Sequence, residues 1–423
     1  MTSEPPANEP PQLVEHFFRH ESAKLVAVLT RAFGVRHLDL VEDKVQEAMM
    51  AAVETWSRRG TPKHPGGWIY RVARNRVLDT LRREKIHRRA LALAQQTEAG
   101  IEALVDDWLA DDRLPDSLLR MMFVCCHPAL DRRSQLALTL KILCGFSLAE
   151  IARGLLMSVE ATKKRVQRAK KTLEQHQIRV ELPEATELQE RLAAVHQVLY
   201  LMFNEGYSTS QGHEPLRDDI CEEAARLCHL LCEHEAFSTP DSRALLALML
   251  AHAARLDARV DADGAAVLLA AQDRSRWSQP MIAMAERWLL RSKTEAPSRF
   301  HLEAAIALVH CRAPRVEATD WRLIVKFYDR LLALHASPLY ALNRAVARGE
   351  AGDVESAMTE LEALRDHREL RGYFLLDCAI GRLHELAENP TAAAAAYSAA
   401  RAIARAPHEQ ALLEKKLRRL SSS

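Results

Sequence analysis

The chain predicts an all-α protein, and three observations carry that prediction. Among its 423 residues only 14 are glycine, while Ala, Leu, Glu and Arg, all strong helix formers, dominate. Apolar residues recur at steps of three and four over most of the length. Ser residues with Glu close behind sit where two of these periodic stretches begin. The expected architecture is a disordered N-terminus (1–12), a helical domain (13–90), a linker (91–115), a helix-turn-helix domain (116–180) and a helical extension (181–423).

The first twelve residues, MTSEPPANEPPQ, are Pro-rich and slightly acidic, a composition that does not bury a core. They contain no basic n-region or apolar h-region, and no later run is long enough to span a membrane. Eight cysteines without a signal peptide suggest reduced thiols and a cytoplasmic location. The formal net charge of +1 conceals two basic runs, Arg71 to Arg89 and Lys163 to Arg179. Localised basic patches on a neutral protein imply a polyanionic partner with a defined footprint.

In the 13–90 domain, Leu13, Phe17, Leu25, Val28, Leu29 and Ala32 fit one helix face, with Gly34 near its end. Val41, Val45, Ala48, Met49, Ala52 and Trp56 fit a second. The Gly/Pro-rich basic stretch Ser57 to Gly67 reads as a loop. In the helix after it Ile69, Val72, Ala73, Val77 and Leu81 face inward, leaving Trp68, Tyr70, Arg71, Arg74, Asn75 and Arg76 outside. Rings beside Arg and Asn next to a basic loop suit unstacked bases, with the cations on the backbone. A core role for Trp56 and Trp68 is an equal reading.

Pro115 follows the linker, and Leu118, Leu119, Met122 and Phe123 open the next domain. Cys125, Cys126 and His127 read as the packed end of a helix before Pro128. Leu136, Leu140 and Leu143 lead into FSLAEIARGLLMSVEATKKRVQRAKKTL (Phe146 to Leu173). Here Ser147 and Glu150 make a capping box, and Leu148, Ile151, Ala152 and Leu155 an apolar face. Gly154 to Met157 is the break, and Ser158 caps a second helix. Its seam is Val159, Thr162, Val166, Ala169 and Leu173; its front is Lys163, Lys164, Arg165, Gln167, Arg168, Lys170 and Lys171. Helix, tight turn, then a helix with an apolar back and a basic front is what major-groove reading needs.

Beyond Glu174 the pattern stays helical. The stretch LYLMFNEGYSTSQGHE interrupts it with a polar loop, Asn204 to Gln211, that reads either as a docking surface or as an ordinary turn at Gly206. Near the end, Ala345, Ala357 and Leu361 are echoed by Gly381, Ala393 and Tyr397, small residues at helix crossings in the manner of tetratricopeptide repeats. A plain helical bundle fits as well. Cys221, Cys228 and Cys232, with His229 and His234, lie in a Leu-rich helix and read as buried thiols, not zinc ligands. No phosphate loop, HExxH or nucleophile elbow is present, so no enzyme, metal or cofactor is expected.

LVEDKVQEAMMAAVETW (Leu40 to Trp56) and HPGGWIYRVARNRVLDTLRRE (His64 to Glu84) resemble region two of the extracytoplasmic-function sigma factors of bacterial RNA polymerase. LLRMMFVCCHPALDRRSQLALTLKILCGFSLAEIARGLL, with the helix after it, resembles region four. FNEGYS, ALMLAHAARLDARVDADGAAVLL, QDRSRW, TDW and LNRAVA resemble the long helical extension of one subgroup. The resemblance implies core polymerase and promoter DNA as partners, and no membrane. It implies that Asp43, Gln46, Glu47 and Met49 face the polymerase. It places Arg58, Lys63, His64, Trp68, Tyr70, Arg71, Arg74, Asn75 and Arg76 at the −10 element. It places Ser158, Thr162, Lys163, Lys164, Arg165, Gln167, Arg168 and Lys171 at the −35 duplex. Asn204, Glu205 and Tyr207 are then candidates for docking the extension on the sigma domains. Two alternatives share parts of the pattern: a helix-turn-helix regulator with a helical sensor domain, and a tetratricopeptide scaffold.

Overall fold

The computed structural model describes residues 11–88, 114–207, 215–259, 267, 269–404 and 407–421. Among them it is all-α, as the composition predicts. Most of the expected N-terminal segment and linker lies outside the described residues, as do 208–214 and 260–266. The chain forms two compact units, 1–201 and 202–423.

The first unit opens with α1 (Pro11–Phe33), α2 (Leu38–Arg59) and α3 (Pro65–Arg88). Leu25, Val28 and Leu29, Val41, Val45, Ala48 and Ala52, and Ile69, Ala73 and Val77 are buried on the faces their spacing predicts. Met49, Trp56, Val72 and Leu81 are only half-buried. Gly60 ends α2 at φ 77°, a backbone state that costs an L side chain about 1–2 kcal/mol. The loop before α3 is therefore 60–64, shorter than the expected 57–67. Helix α2 persists through Arg59, and Pro65, with φ already set, starts α3.

Helices α4 (Leu114–Cys125), α5 (Arg132–Ile142), α6 (Leu148–Gly154) and α7 (Val159–Gln175) complete this unit with the start of α8 (Leu188–Tyr207). Helices α4 and α5 pack on α1, so the expected second domain closes on the first. Arg31 reaches Asp116 at 2.7 Å across that seam. Gln135 of α5 donates to the carbonyls of Cys126 and His127 at 3.1 and 2.9 Å, fixing the end of α4. Burial pushes the Cys126 thiol up to about 12, so it stays protonated at neutral pH.

The second unit takes the end of α8 and continues with α9 (Pro215–Glu233), α10 (Pro240–Ala253), α11 (Gln279–Arg291) and α12 (Arg299–Arg312). Short 3₁₀ turns separate α10 from α11. Helices α13 (Trp321–Leu334), α14 (Pro338–Glu350), α15 (Val354–Ala363), α16 (Phe374–Leu386), α17 (Pro390–Ile403) and α18 (Pro407–Ser421) follow as stacked neighbours. Their starts are local: Thr239, Asp320, Asp353 and Asn389 each cap with a side-chain oxygen. The expected repeat is present as packing. Ala345, Ala357 and Leu361 are buried in one hairpin and Ala393 and Tyr397 in the next. A Cβ on Gly381 would lie 2.7 Å from the Tyr397 ring, so that crossing needs glycine. Cys221 and Cys228 donate to the carbonyls of Phe203 and Ser242 at 3.5 and 3.6 Å, while His234 stacks on Phe237.

This unit encloses two imidazoles, the half-buried His252 and the buried His310. Burial, then the charges of Arg255 and its neighbours, depress both, His310 to about 3. The unfolded chain protonates His310 as pH falls through about 6.5, whereas the folded chain does not. Its contribution is therefore complete above pH 6.5 and lost progressively from there towards pH 3, about 2 kcal/mol of it by pH 5. Urea midpoints of the intact chain should fall between pH 7 and pH 5, and His310→Leu should flatten the slope. A midpoint independent of pH over that range contradicts this account.

Candidate nucleic-acid interface

The helix-turn-helix is built by local hydrogen bonds. Glu150 N–H donates to Ser147 Oγ at 3.2 Å and Ser147 N–H to Glu150 Oε2 at 2.7 Å, the capping box expected. At the break, Met157 N–H donates to the Ala152 carbonyl at 2.8 Å and Leu156 N–H to Arg153 at 3.3 Å. This is a Schellman closure, and its left-handed residue is Leu156 at φ 55°, not the neighbouring glycine. Ser158 Oγ then accepts from Ala161 N–H at 3.1 Å and starts α7. Val166, Ala169 and Leu173 are buried at the back of α7, under Ile151 and Ala152 of α6.

The front of α7 exposes Ser158, Lys163, Lys164, Gln167, Arg168 and Lys171 together. Four expectations for this helix are corrected. Thr162 is fully buried, its hydroxyl donating to the Ser158 carbonyl at 3.1 Å, because it lies on the seam with Val166. Arg165 turns sideways to Asp131 at 3.1 Å, the residue that caps α5. Partial burial pushes the Asp131 carboxyl up, but bonds from Ser134 and the Arg165 charge outweigh it and lower its pKa. Lys170, expected on the basic front, pairs instead with Glu42 and Asp39 at the start of α2. Burial opposes its charge, yet those two carboxylates raise its pKa. Val159, expected in the seam, is 51% exposed, since the first helical residue overhangs the turn. An exposed apolar group there suits a thymine methyl.

The second basic surface lies on α2, α3 and their loop. Arg58, Lys63 and His64 are exposed, as are Arg71 and Asn75 of α3. Trp68, half-buried, stands edge-on to Trp56 with centroids 5.7 Å apart. Trp68, Arg71 and Asn75 share one stripe, and neither tryptophan is fully buried in the core. Arg74 is half-buried, and Arg76 is held by Glu47 at 3.1 Å. Tyr70 is the correction here. Its side chain is fully buried, because positions 70, 73 and 77 form the inward stripe with Ile69.

On α2, Asp43 and Gln46 are exposed, while Glu47 and Met49 are half-buried. A bond from Lys44 at 2.6 Å, with Arg76 beyond it, lowers the Glu47 pKa. The sequence reading missed Met50 and Val53, 60% and 58% exposed. Their spacing from Asp43 and Gln46, in steps of three and four, was the available signal. A stripe mixing exposed apolar and acidic groups suits a protein partner and repels phosphate. In the extension, Asn204 is exposed and Glu205 half-buried. The expected loop starting at Asn204 is instead helix through Tyr207; 208–211 lie outside the described residues. Tyr207 is engaged within its own unit, stacked on Phe203 at 5.6 Å and hydrogen-bonded by Arg255 at 2.7 Å. It is therefore not a free anchor for docking.

A helix-turn-helix with a basic front, beside a second basic surface on a helical hairpin, defines a DNA-binding protein. Comparisons sharpen that class. Residues 17–86 match sigma-70 region 2, residues 120–173 match sigma-70 region 4, and residues 191–293 match a family of unknown function, DUF6596. An uncharacterized protein of Rhizobium meliloti (strain 1021) is 38% identical over 415 residues, covering 94% of this chain and 95% of its own length. No solved structure matches. The chain belongs to the sigma-70 family of transcription initiation factors, as an extracytoplasmic-function type with a C-terminal extension. Among the described residues no helix is long and apolar enough to cross a membrane.

Proposed function

We propose that this sigma factor binds core RNA polymerase through the exposed stripe of α2 and directs it, in the cytoplasm, to promoters with cognate −10 and −35 elements. The observation that carries the reading is the exposed row Lys163, Lys164, Gln167, Arg168 and Lys171 on a capped second helix. The Trp68, Arg71 and Asn75 stripe, with Lys63 and His64 beside it, suits the melting −10 element, where rings hold unstacked bases. Asp43, Gln46, Met50 and Val53 suit the polymerase, a protein surface. The extension acts as a built-in regulator, with Asn204 and Glu205 as its docking positions, and shifts the balance between active and inactive arrangements by a few kcal/mol.

Core polymerase should copurify with the chain in the absence of DNA, and the pair should give defined transcripts from a cognate promoter. A truncation that tests regulation belongs after Leu201, because Arg191 of α8 still donates to the Phe123 carbonyl at 2.8 Å in the first unit. That truncation, and Asn204→Ala with Glu205→Ala in the intact chain, should change transcript yield several-fold while −35 affinity stays constant. Duplex binding without polymerase capture points to the regulator alternative. Unchanged yields in both variants remove the regulatory role.

A further inference from the structure

Three stretches that the DNA-binding reading leaves unused, FNEGYS, AHAARLDAR and QDRSRW, converge inside the second unit. Tyr207 ends α8, Arg255 and Arg259 follow α10, and Arg274 and Trp277 lie just before α11. Arg255 Nη2 donates to the Tyr207 hydroxyl at 2.7 Å and contacts His252 Nδ1 at 3.0 Å. The Arg259 guanidinium lies 3.5 Å from the centre of the Tyr207 ring, and its Nη1 donates to the Tyr207 carbonyl. Arg255 and Arg274 flank the Trp277 indole at 5.6 and 4.6 Å from its centre. Arg274 Nη1 also donates to the carbonyls of His310 and Ala313 at 2.5 and 2.6 Å.

This arrangement gathers more positive charge than its surroundings meet: Asp218 acts on Arg259 and Glu317 on Arg274, but only from beyond ion-pair distance. Among the described residues, the contacts of these three guanidiniums are to rings, carbonyls, a hydroxyl and an imidazole, and none is an ion pair with a carboxylate. Buried charges are ordinarily paired, and ring quadrupoles compensate only part of a cation's lost hydration. The two imidazoles supply no negative charge. Hydrogen bonding is incomplete in the same place: Arg255 Nε, Arg274 Nε, Trp277 Nε1 and His310 Nδ1 are buried without partners. Arg255, Trp277 and His310 are 6%, 3% and 9% exposed. Three of those four atoms are N–H donors. Unpartnered buried donors beside one buried and two half-buried guanidiniums call for a ligand that is both negative and rich in acceptors.

We propose that Arg255, Arg259, Arg274 and Trp277 form a binding site for a small, multiply charged oxyanion. The guanidinium forks provide its charge-assisted hydrogen bonds, and Trp277 Nε1 provides a further donor. A phosphoryl group and a polycarboxylate share this chemistry, and the test separates them. Inorganic phosphate, pyrophosphate and citrate are titrated into the full-length protein by calorimetry, with chloride holding ionic strength constant. At least one should saturate at one site per chain. At hundredfold excess over its dissociation constant it should raise the unfolding midpoint of the extension by roughly 5–10 °C. Saturation by the phosphates alone assigns a phosphoryl ligand, and by citrate alone a polycarboxylate. Arg255→Met and Arg274→Met should each weaken binding at least tenfold. Should either fail to fold, Arg259→Lys, which keeps the charge but loses the fork, should weaken it several-fold. The proposal is overturned if no probe saturates the wild-type protein, or if binding is equal in the variants. It is likewise overturned if only the protein carrying Asp261→Asn and Asp263→Asn binds, since the chain's own aspartates would then be the counter-charge.

Discussion

Replacing Lys163, Lys164, Arg168 and Lys171 together by alanine is expected to weaken binding to the −35 duplex by about three orders of magnitude near 0.15 M salt. All four side chains are exposed along the front of α7, which suits them to phosphate. Each phosphate neutralised releases counterions and adds about 0.9 to the log–log salt slope, so the variant's slope should be shallower by about 3–4 units. Surface substitutions of this kind typically change stability within about ±0.5 kcal/mol each, so the fold should survive. Two single changes divide the effect. Arg165→Ala should cost less, because Arg165 already engages Asp131. Gln167→Ala should cost about 1–3 kcal/mol on the cognate sequence alone if Gln167 reads a base edge. Anisotropy of a labelled duplex against the full-length protein, over a range of salt, measures all three. An unchanged slope in the quadruple variant means that the front of α7 does not face DNA.

Tyr397→Ala is expected to destabilise the second unit by about 3–5 kcal/mol, the cost of emptying a buried aromatic site. The ring is fully buried against α16, and its hydroxyl and face engage Lys416 at 3.2 and 4.7 Å. Gly381→Val should also destabilise, by about 1–3 kcal/mol, because its Cβ would lie 2.7 Å from Tyr397 Cε1. The two changes are coupled by geometry. With the ring gone, valine at 381 fills part of the space it left, so the double variant should be clearly more stable than the sum of the singles implies. Urea unfolding of the four proteins reads the coupling directly, and strict additivity would falsify the close packing of α16 on α17.

What the sequence alone determined is what short-range interactions specify. The capping box of Ser147 and Glu150, the cap at Ser158 and the buried residues Val166, Ala169 and Leu173 involve partners within a turn or a fixed helical period. They are legible because that geometry is the same in any protein. The all-α class follows for the same reason, whereas the Gly381–Tyr397 crossing, which a plain bundle fitted as well in the sequence, took the packing of α16 on α17 to decide. Where two phases fit one stretch, only the tertiary structure chose. Tyr70 sits beside Ile69, and either can lead an inward stripe; here the packing of α2 on α3 buries both. Lys170 has the periodicity of the basic front, yet a long side chain at the edge of a seam follows the nearest carboxylates. Those are Glu42 and Asp39, more than 120 residues away. Tyr207 shows the same limit. A polar, glycine-containing stretch reads as a loop, but Arg255 and Arg259, some fifty residues downstream, hold the aromatic at the end of a helix. Periodicity determines which face of a helix can be buried. Which charged or aromatic groups at its margin are withdrawn depends on elements that loop closure brings from far along the chain, and no local pattern encodes that.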